Sequence, residues 1–202
     1  MGKIAAVVGV TGAGKTTLVR VLCRHAALEC GLEQHSDRPF QHLFKNDPQY
    51  ALANQLDYLL LRAKQEQSFR NMSEVAIMDG GLDLDFHGFT RLFHTRGFLT
   101  EDEFHLCTDF YGFIRSILPI PDLIIHLITS HDKVSARLAE RERINVATIV
   151  DLDLLDSYLR EWLATISSSR VLTVDASHDD TEYSKTIPLI LDKITSLGIK
   201  TL

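Results

Sequence analysis

Eight residues near the start of the chain have the spacing of a phosphate-binding loop. Residues 9–16 (GVTGAGKT) match G-x-x-x-x-G-K-[ST] and directly follow the apolar run at 3–8. The glycines let successive N–H groups point at one anion, Lys15 can reach the β- and γ-phosphates, and the Thr16 hydroxyl can hold Mg²⁺. A glycine-rich turn without a ligand is the alternative. The pattern predicts a site for ATP and Mg²⁺ formed by Gly9, Val10, Thr11, Gly12, Ala13, Gly14, Lys15, Thr16 and Thr17.

Acidic and basic residues further along the chain could complete a phosphoryl-transfer site. A predicted strand ends at Asp79, where an acidic group can hold Mg²⁺ directly or through water. Arg137, Arg141 and Arg143 lie on or just after one predicted helix, and a lid of arginines would neutralise charge on the transferred group. A solvated aspartate and a charged helix face are the plainer alternatives. We expect Asp79 and Thr16 to hold the metal, and Lys15 and the three arginines to act in catalysis.

Four other residues could bind or activate a phosphate acceptor. Glu33 stands at the predicted carboxyl end of the second strand, and an acceptor hydroxyl needs a base within hydrogen-bond reach. Gln55 and Arg62 are seven residues apart and share one helix face, where an amide can make a paired contact with the edge of a base. Asp85 completes this group. A surface glutamate or a solvated glutamine would look the same in isolation.

Strand-like and helix-like segments alternate along the chain, which is typical of a parallel α/β sheet. Continuous apolar runs predict strands at 4–8, 75–78, 123–128 and 171–174, with a weaker one at 30–33. Helical spacing covers 16–28, 48–69, 101–118, 133–143, 150–166 and 181–196, and less clearly the segment after Asp79. We expect the nucleotide at the carboxyl ends of the strands.

Composition and length narrow the class of protein. The 202 residues suit one domain spanning 1–202, and the net charge of −6 argues against nucleic acid or an anionic membrane as a partner. Cys23, Cys30 and Cys107 offer neither a metal knuckle nor an even disulfide framework, so we expect buried thiols in a reducing compartment. No apolar run approaches the ~18 residues of a membrane helix, and a cytoplasmic protein is expected.

The order of these features resembles the deoxynucleoside kinase family, a branch of the P-loop kinases related to thymidylate kinase. Besides the phosphate loop, the resemblance rests on residues 39–48 (PFQHLFKNDP), 50–55 (YALANQ) and 121–125 (PDLII), and it covers nearly the whole chain. It implies a P-loop kinase fold with a five-stranded parallel sheet, flanking helices and an arginine lid. It also implies ATP and Mg²⁺, a small-molecule nucleoside-like acceptor and a possible homodimer.

The resemblance also implies roles for individual residues on the acceptor side. Glu33 corresponds to the catalytic base and Gln55 to the residue that pairs with the nucleobase. Arg62 and Asp85 correspond to the pair that supports base recognition in some members. We therefore expect ATP-dependent phosphoryl transfer to the hydroxyl of a nucleoside or deoxynucleoside.

Three positions on the sugar side depart from the family's pattern. Gly80-Gly81 stand where the family has Arg-Ser, Lys45 stands at a tyrosine, and Val146 stands at a lid glutamate. Losing three polar contacts at about 1–3 kcal/mol each would weaken recognition of the sugar, with Lys45 beside the acceptor instead. Base discrimination should then exceed sugar discrimination. A kinase of a nucleoside monophosphate or another small molecule, and a nucleotide-binding protein without transferase activity, are the alternatives.

Overall fold

A computed structural model describes residues 1–32, 38–139 and 149–196 of the chain. Within these residues the strands are β1 Ile4–Val8, β2 Glu29–Gly31, β3 Ala76–Asp79, β4 Leu123–Ile128 and β5 Val171–Asp175. They form one parallel sheet in the order β2-β3-β1-β4-β5. The predicted α/β class and its five-stranded parallel sheet are confirmed.

Helices connect these strands and cover the sheet. They are α1 Lys15–His25, α2 Pro39–Asn46, α3 Ala51–Arg70, α4 Leu82–Leu84, α5 Arg91–Thr95, α6 Glu101–Ile117, α7 His131–Ala139, α8 Leu152–Ala164 and α9 Thr186–Ser196. A π-helical segment, Asp85–Thr90, joins α4 to α5. Short 3-10 turns precede α3, α8 and β5. Among the described helices, none combines the length and the apolar character needed to cross a bilayer.

Both faces of the sheet are buried, which explains the continuous apolar runs of its strands. On one face, side chains of β1 and β4 pack against Leu18 and Leu22 of α1 and against Ile187 and Ile190 of α9. On the other face, the alternate residues of the same strands pack against α8, including Trp162. The central position of β1 places the loop that follows it between two neighbouring strand ends.

The end of α1, the start of α9 and the presence of α2 differ from the sequence prediction. Helix α1 ends at His25 rather than at 28, because Ala26 is extended. Helix α9 begins at Thr186 rather than at 181, because the side chains of Asp179 and Asp180 accept backbone N–H groups and hold a turn before it. Helix α2 was not expected, and none of its residues is buried. Its start is marked by Pro39 at the first helical turn.

The expectation of three buried thiols is wrong for two of the cysteines. Cys23 on α1 and Cys30 on β2 are joined by a disulfide, with their Cα atoms 6.3 Å apart. The chain reverses direction between α1 and β2, which brings these positions together although they are seven residues apart in sequence. Cys107 is a buried thiol as expected, and burial raises its pKa to about 11.

A buried charge network fixes α4 against α3 and α6. Arg115 lies between two carboxylates, with Nη1 2.7 Å from Glu66 Oε2 and Nη2 2.8 Å from Asp83 Oδ2. Tyr111 also donates to Asp83, at 2.7 Å. Burial raises the pKa of Glu66 although Arg115 opposes that shift. One arginine therefore holds three elements together.

Arg115→Met should lower the free energy of unfolding by about 3–5 kcal/mol, because it leaves Glu66 and Asp83 buried without their cation. Urea unfolding at pH 7 measures this loss. Arg160→Met is the matched control, since Arg160 is largely exposed and pairs with Asp156 one turn away, and its loss should stay below about 1 kcal/mol. Equal small losses in the two variants would contradict the structural role of Arg115.

Candidate active site

The loop between β1 and α1 has the local geometry of an anion site. The Ala13 N–H donates to Val10 O at 3.1 Å, which closes the loop tightly before α1 begins. Lys15 Nζ donates to Gly9 O at 2.9 Å and to Val10 O at 3.0 Å, so the ammonium group lies on its own loop. The first turn of α1 contains no acidic side chain. The positive end of this helix is therefore left for an external anion.

Thr16 and Asp79 meet because their strands are neighbours. Val7 of β1 is paired with Asp79, the last residue of β3, so the loop after β1 begins beside this carboxylate. Thr16 Oγ1 donates a hydrogen bond to Asp79 Oδ2, and only 2% of the Asp79 surface is exposed. A carboxylate and a hydroxyl are oxygen ligands of the kind that Mg²⁺ prefers. These two residues fit the metal role predicted for them.

The arginines expected to form a lid are described only in part. Arg137 on α7 donates from Nη1 to Ala13 O at 2.7 Å and to Gly12 O at 3.2 Å, so it contacts the carbonyl groups of the phosphate loop. Arg141 and Arg143 lie outside the described residues, as do the expected base Glu33 and Val146. The structure thus brings one arginine of the group to the loop.

The expected base-recognition residues form one buried cluster. Arg62 Nε lies 2.8 Å from Asp85 Oδ2, which links α3 to the π-helical segment. Gln55 Nε2 donates to Asp85 O at 3.1 Å and to Thr90 Oγ1 at 2.8 Å. Because Asp85 O is purely an acceptor, the amide is oriented with Nε2 toward it. Both amide hydrogens have partners within the protein, so Gln55 can offer its carbonyl oxygen to a ligand.

The residue after Asp79 joins the two parts of the site. Gly80 has φ +80°, and a Cβ added there would lie 3.3 Å from Arg62 Nη2. The Arg62 guanidinium therefore fills space beside the position where the family has an arginine, and any side chain at Gly80 would be strained. Through Arg62, the cluster around Gln55 reaches the residue that follows the candidate metal ligand Asp79.

Lys45 is not part of this cluster. It is exposed on α2, and within residues 1–32, 38–139 and 149–196 its side chain makes no hydrogen bond or ion pair with another residue. Its neighbour Phe44 instead packs on Phe93 and Phe98. The substrate-binding role expected for Lys45 stays a prediction.

Sequence reasoning missed two residues that contact the site. Thr90 fixes the amide of Gln55, and Tyr183 donates to Gly14 O at 3.2 Å. Neither stands in a motif that would mark it. The one signal for Tyr183 is the pair of acidic residues before it, which favours a turn at the end of β5.

Comparisons with known proteins identify the family to which this sequence is similar. The sequence profile of the family described as deoxynucleoside kinase matches residues 5–197. A deoxyadenosine kinase of Dictyostelium discoideum is 28% identical over 143 residues, which are 70% of this chain and 58% of that protein. A deoxyadenosine/deoxycytidine kinase of Bacillus subtilis (strain 168) is 22% identical over 205 residues, covering 96% of this chain and 92% of that protein.

Solved structures show the same fold. Deoxyadenosine kinase from M. mycoides with bound dATP superimposes with a TM-score of 0.78 at 22% identity, covering 95% of this chain and 98% of that one. The same protein with dCMP and dCDP bound gives a TM-score of 0.77 at 22% identity, covering 96% and 99%. The fold is thus that of a P-loop kinase, and because the family profile spans nearly the whole sequence, the chain belongs to the deoxynucleoside kinase family.

Proposed function

We propose that this protein transfers the γ-phosphoryl group of ATP, in the presence of Mg²⁺, to the hydroxyl of a deoxynucleoside whose base carries an exocyclic amino group. One observation carries the proposal. The candidate metal ligand Asp79 is followed by Gly80, and the Arg62 guanidinium lies against Gly80. A phosphate site and a base-recognition cluster therefore share the end of one strand, as transfer between two bound substrates requires.

The orientation of Gln55 supports the choice of base. Its Nε2 group is bonded to Asp85 O and Thr90 Oγ1, which leaves the carbonyl oxygen to accept from a ligand. Adenine and cytosine present an amino group that donates, whereas thymine presents a carbonyl at the equivalent edge. The names of the relatives, a deoxyadenosine kinase and a deoxyadenosine/deoxycytidine kinase, agree with this choice.

The roles of the remaining residues follow from phosphoryl transfer. Lys15 and the N–H groups at the start of α1 bind the triphosphate, and Glu33 accepts the proton of the acceptor hydroxyl. Mg²⁺, held by Thr16 and Asp79, would neutralise phosphate charge when bound. Arg137, Arg141 and Arg143 would supply the remaining positive charge.

A panel of acceptors tests this function. With ATP and Mg²⁺, deoxyadenosine and deoxycytidine should exceed thymidine in kcat/KM by about 10- to 100-fold, the value of one or two hydrogen bonds. Matched ribonucleosides should fall within about tenfold of the deoxyribonucleosides, because the polar sugar contacts of the family are replaced at Lys45, Gly80 and Val146. A preference for nucleoside monophosphates, or no turnover with any acceptor, would contradict the proposal and favour the alternatives.

Two variants separate catalysis from binding in the same assay. Lys15→Ala should abolish transfer, because the lysine interacts most strongly with charge on the moving phosphate. Glu33→Gln should lower kcat by about 10²–10⁴ with little change in ATP binding, since only proton removal is lost. Full activity of Lys15→Ala would contradict the kinase function, and an unaltered kcat of Glu33→Gln would assign Glu33 to the solvated surface.

We also propose that a second copy of the chain covers one face of α6. Leu106, Phe113 and Ile117 are 50%, 65% and 59% exposed. Between 110 and 117 the charged residue is Arg115, whose guanidinium points into the buried network. The exposed Asp109 lies between Leu106 and Phe113 on this face, so its uncharged part is formed by Phe113 and Ile117. An exposed apolar patch with a polar edge is typical of the centre of an interface, and one helix meeting its own copy satisfies two-fold symmetry.

Sedimentation equilibrium tests this assembly. The protein should be a dimer at micromolar concentration, and Phe113→Glu should shift it toward monomer because a charge would enter the apolar contact. Leu189→Glu is the control, since Leu189 is 60% exposed on α9, and it should leave the dimer intact. A monomeric wild-type protein, or a Phe113→Glu variant that remains dimeric, would contradict this interface.

The expected compartment is the cytoplasm, where the donor ATP is supplied. Reductants there act on accessible disulfides. Cys30 is exposed, so the Cys23–Cys30 pair would be within their reach.

A further inference from the structure

Tyr183 has an unusual backbone conformation in the loop between β5 and α9. Its φ of +54° is the one positive value at a non-glycine position in the described parts of the chain. Such a conformation costs on the order of 1–3 kcal/mol and persists where surrounding contacts impose it. The residue is nevertheless only 2% exposed. The contacts of the buried loop around Tyr183 therefore impose this backbone conformation.

Two carboxylates and a lysine hold this loop. The side chain of Asp179 accepts from the backbone N–H groups at 185 and 186, at 3.2 and 3.0 Å. Asp180 accepts from those at 182 and 184, at 3.0 and 3.1 Å. Lys133 of α7 donates to Asp179 O at 3.2 Å. The loop is thus tied to the helix that carries Arg137.

The Tyr183 hydroxyl contacts the carbonyl side of the phosphate loop. It donates to Gly14 O at 3.2 Å. The neighbouring Arg137 guanidinium donates to Ala13 O at 2.7 Å. Gly14 has φ +105°, and a Cβ added there would lie 2.2 Å from the Tyr183 hydroxyl and 2.8 Å from Arg137 Nη1. The absence of a side chain at Gly14 permits this approach.

These contacts fix two peptide groups whose N–H bonds belong to the phosphate site. The carbonyl of Ala13 shares a planar peptide with the N–H of Gly14, and the carbonyl of Gly14 shares one with the N–H of Lys15. A donor held at each carbonyl helps to set the direction of the N–H at the other end. It also polarises the peptide, which strengthens that N–H as a donor to an anion. At Gly14 O the Tyr183 hydroxyl is a second donor beside the Leu18 N–H of α1, which lies at 3.0 Å.

We propose that Tyr183 is a positioning residue for the phosphoryl donor: together with Arg137 it holds the phosphate loop from its carbonyl side, so that the N–H groups of Gly14 and Lys15 face the triphosphate. The inference rests on the proposed function only in taking ATP as the donor. Burial raises the pKa of Tyr183, so its hydroxyl remains a donor at neutral pH.

Tyr183→Phe removes the hydroxyl and keeps the ring. Calorimetric titration with ATP should show affinity lowered about 5- to 10-fold, and the KM for ATP should rise by a similar factor while the KM for the nucleoside stays unchanged. The urea midpoint should stay close to that of the wild type. Tyr158→Phe is the matched control, since its hydroxyl lies 2.6 Å from Thr95 Oγ1 and its ring lies under Arg91, and it should leave ATP affinity unchanged.

A double variant distinguishes a positioning role of Tyr183 from a general structural role. In Arg137→Met, the further change Tyr183→Phe should add little, because the two residues act on the loop together. Unchanged ATP affinity in Tyr183→Phe, or an equal loss for ATP and nucleoside, would overturn the proposal. Calorimetry requires no turnover, so ATP binding that depends on Tyr183 would support this inference even if no acceptor were phosphorylated.

Discussion

The adjacency of two parallel strand ends is the constraint on which this site depends. Strands β1 and β3 are neighbours in register, so the residue that ends β3 lies beside the loop that follows β1. The hydrogen bond from Thr16 to Asp79 is the direct result. A Mg²⁺ ion held by these two residues would lie beside the phosphate loop, where its charge would offset that of the phosphate groups.

Buried ion pairs hold the residues that we propose to bind the acceptor. The pair Arg62–Asp85 and the network of Arg115 with Glu66 and Asp83 both anchor the segment that follows β3. Removing charges from water is unfavourable, and apolar residues would pack at lower cost. These pairs instead fix one register of the π-helical segment, which is the element that carries Asp85 and Thr90. We interpret the network as a means of holding Gln55 in one orientation.

Ring contacts also hold the π-helical segment against α8. His87 in the π-helical segment lies 3.1 Å from the Tyr111 hydroxyl and stacks on Trp162. Burial lowers the pKa of His87 to about 4, so the imidazole is neutral at pH 7 and adds no charge to the network. The segment is therefore held by ion pairs on one side and by ring contacts on the other.

The sequence predicted the strands from their continuous apolar runs and the phosphate loop from its fixed spacing. The strands were predictable because both faces of the sheet are buried, and the loop from Gly9 to Thr16 because its chemistry needs that spacing. The spacing of Gln55 and Arg62 indicated a shared face of α3, but the role of the group with Asp85, which lies on another element, could be predicted only through a resemblance.

Other features depend on long-range contacts that no local pattern records. The disulfide between Cys23 and Cys30 requires the chain reversal after α1, and α2 has no buried face to give it a periodicity. The contact of Tyr183 with Gly14 joins residues 169 positions apart. The contact of Tyr183 depends on how the segment between β5 and α9 packs against the phosphate loop.

Binding of ATP with and without Mg²⁺ tests most directly the claim that the ends of β1 and β3 form the phosphoryl-transfer centre. Calorimetry on the wild-type protein should show ATP affinity increased roughly tenfold or more by Mg²⁺, which is a coupling of ordinary size between two ligands. In Asp79→Asn this gain should be lost, because the carboxylate that would hold the ion is gone. An equal gain from Mg²⁺ in both proteins would contradict the account.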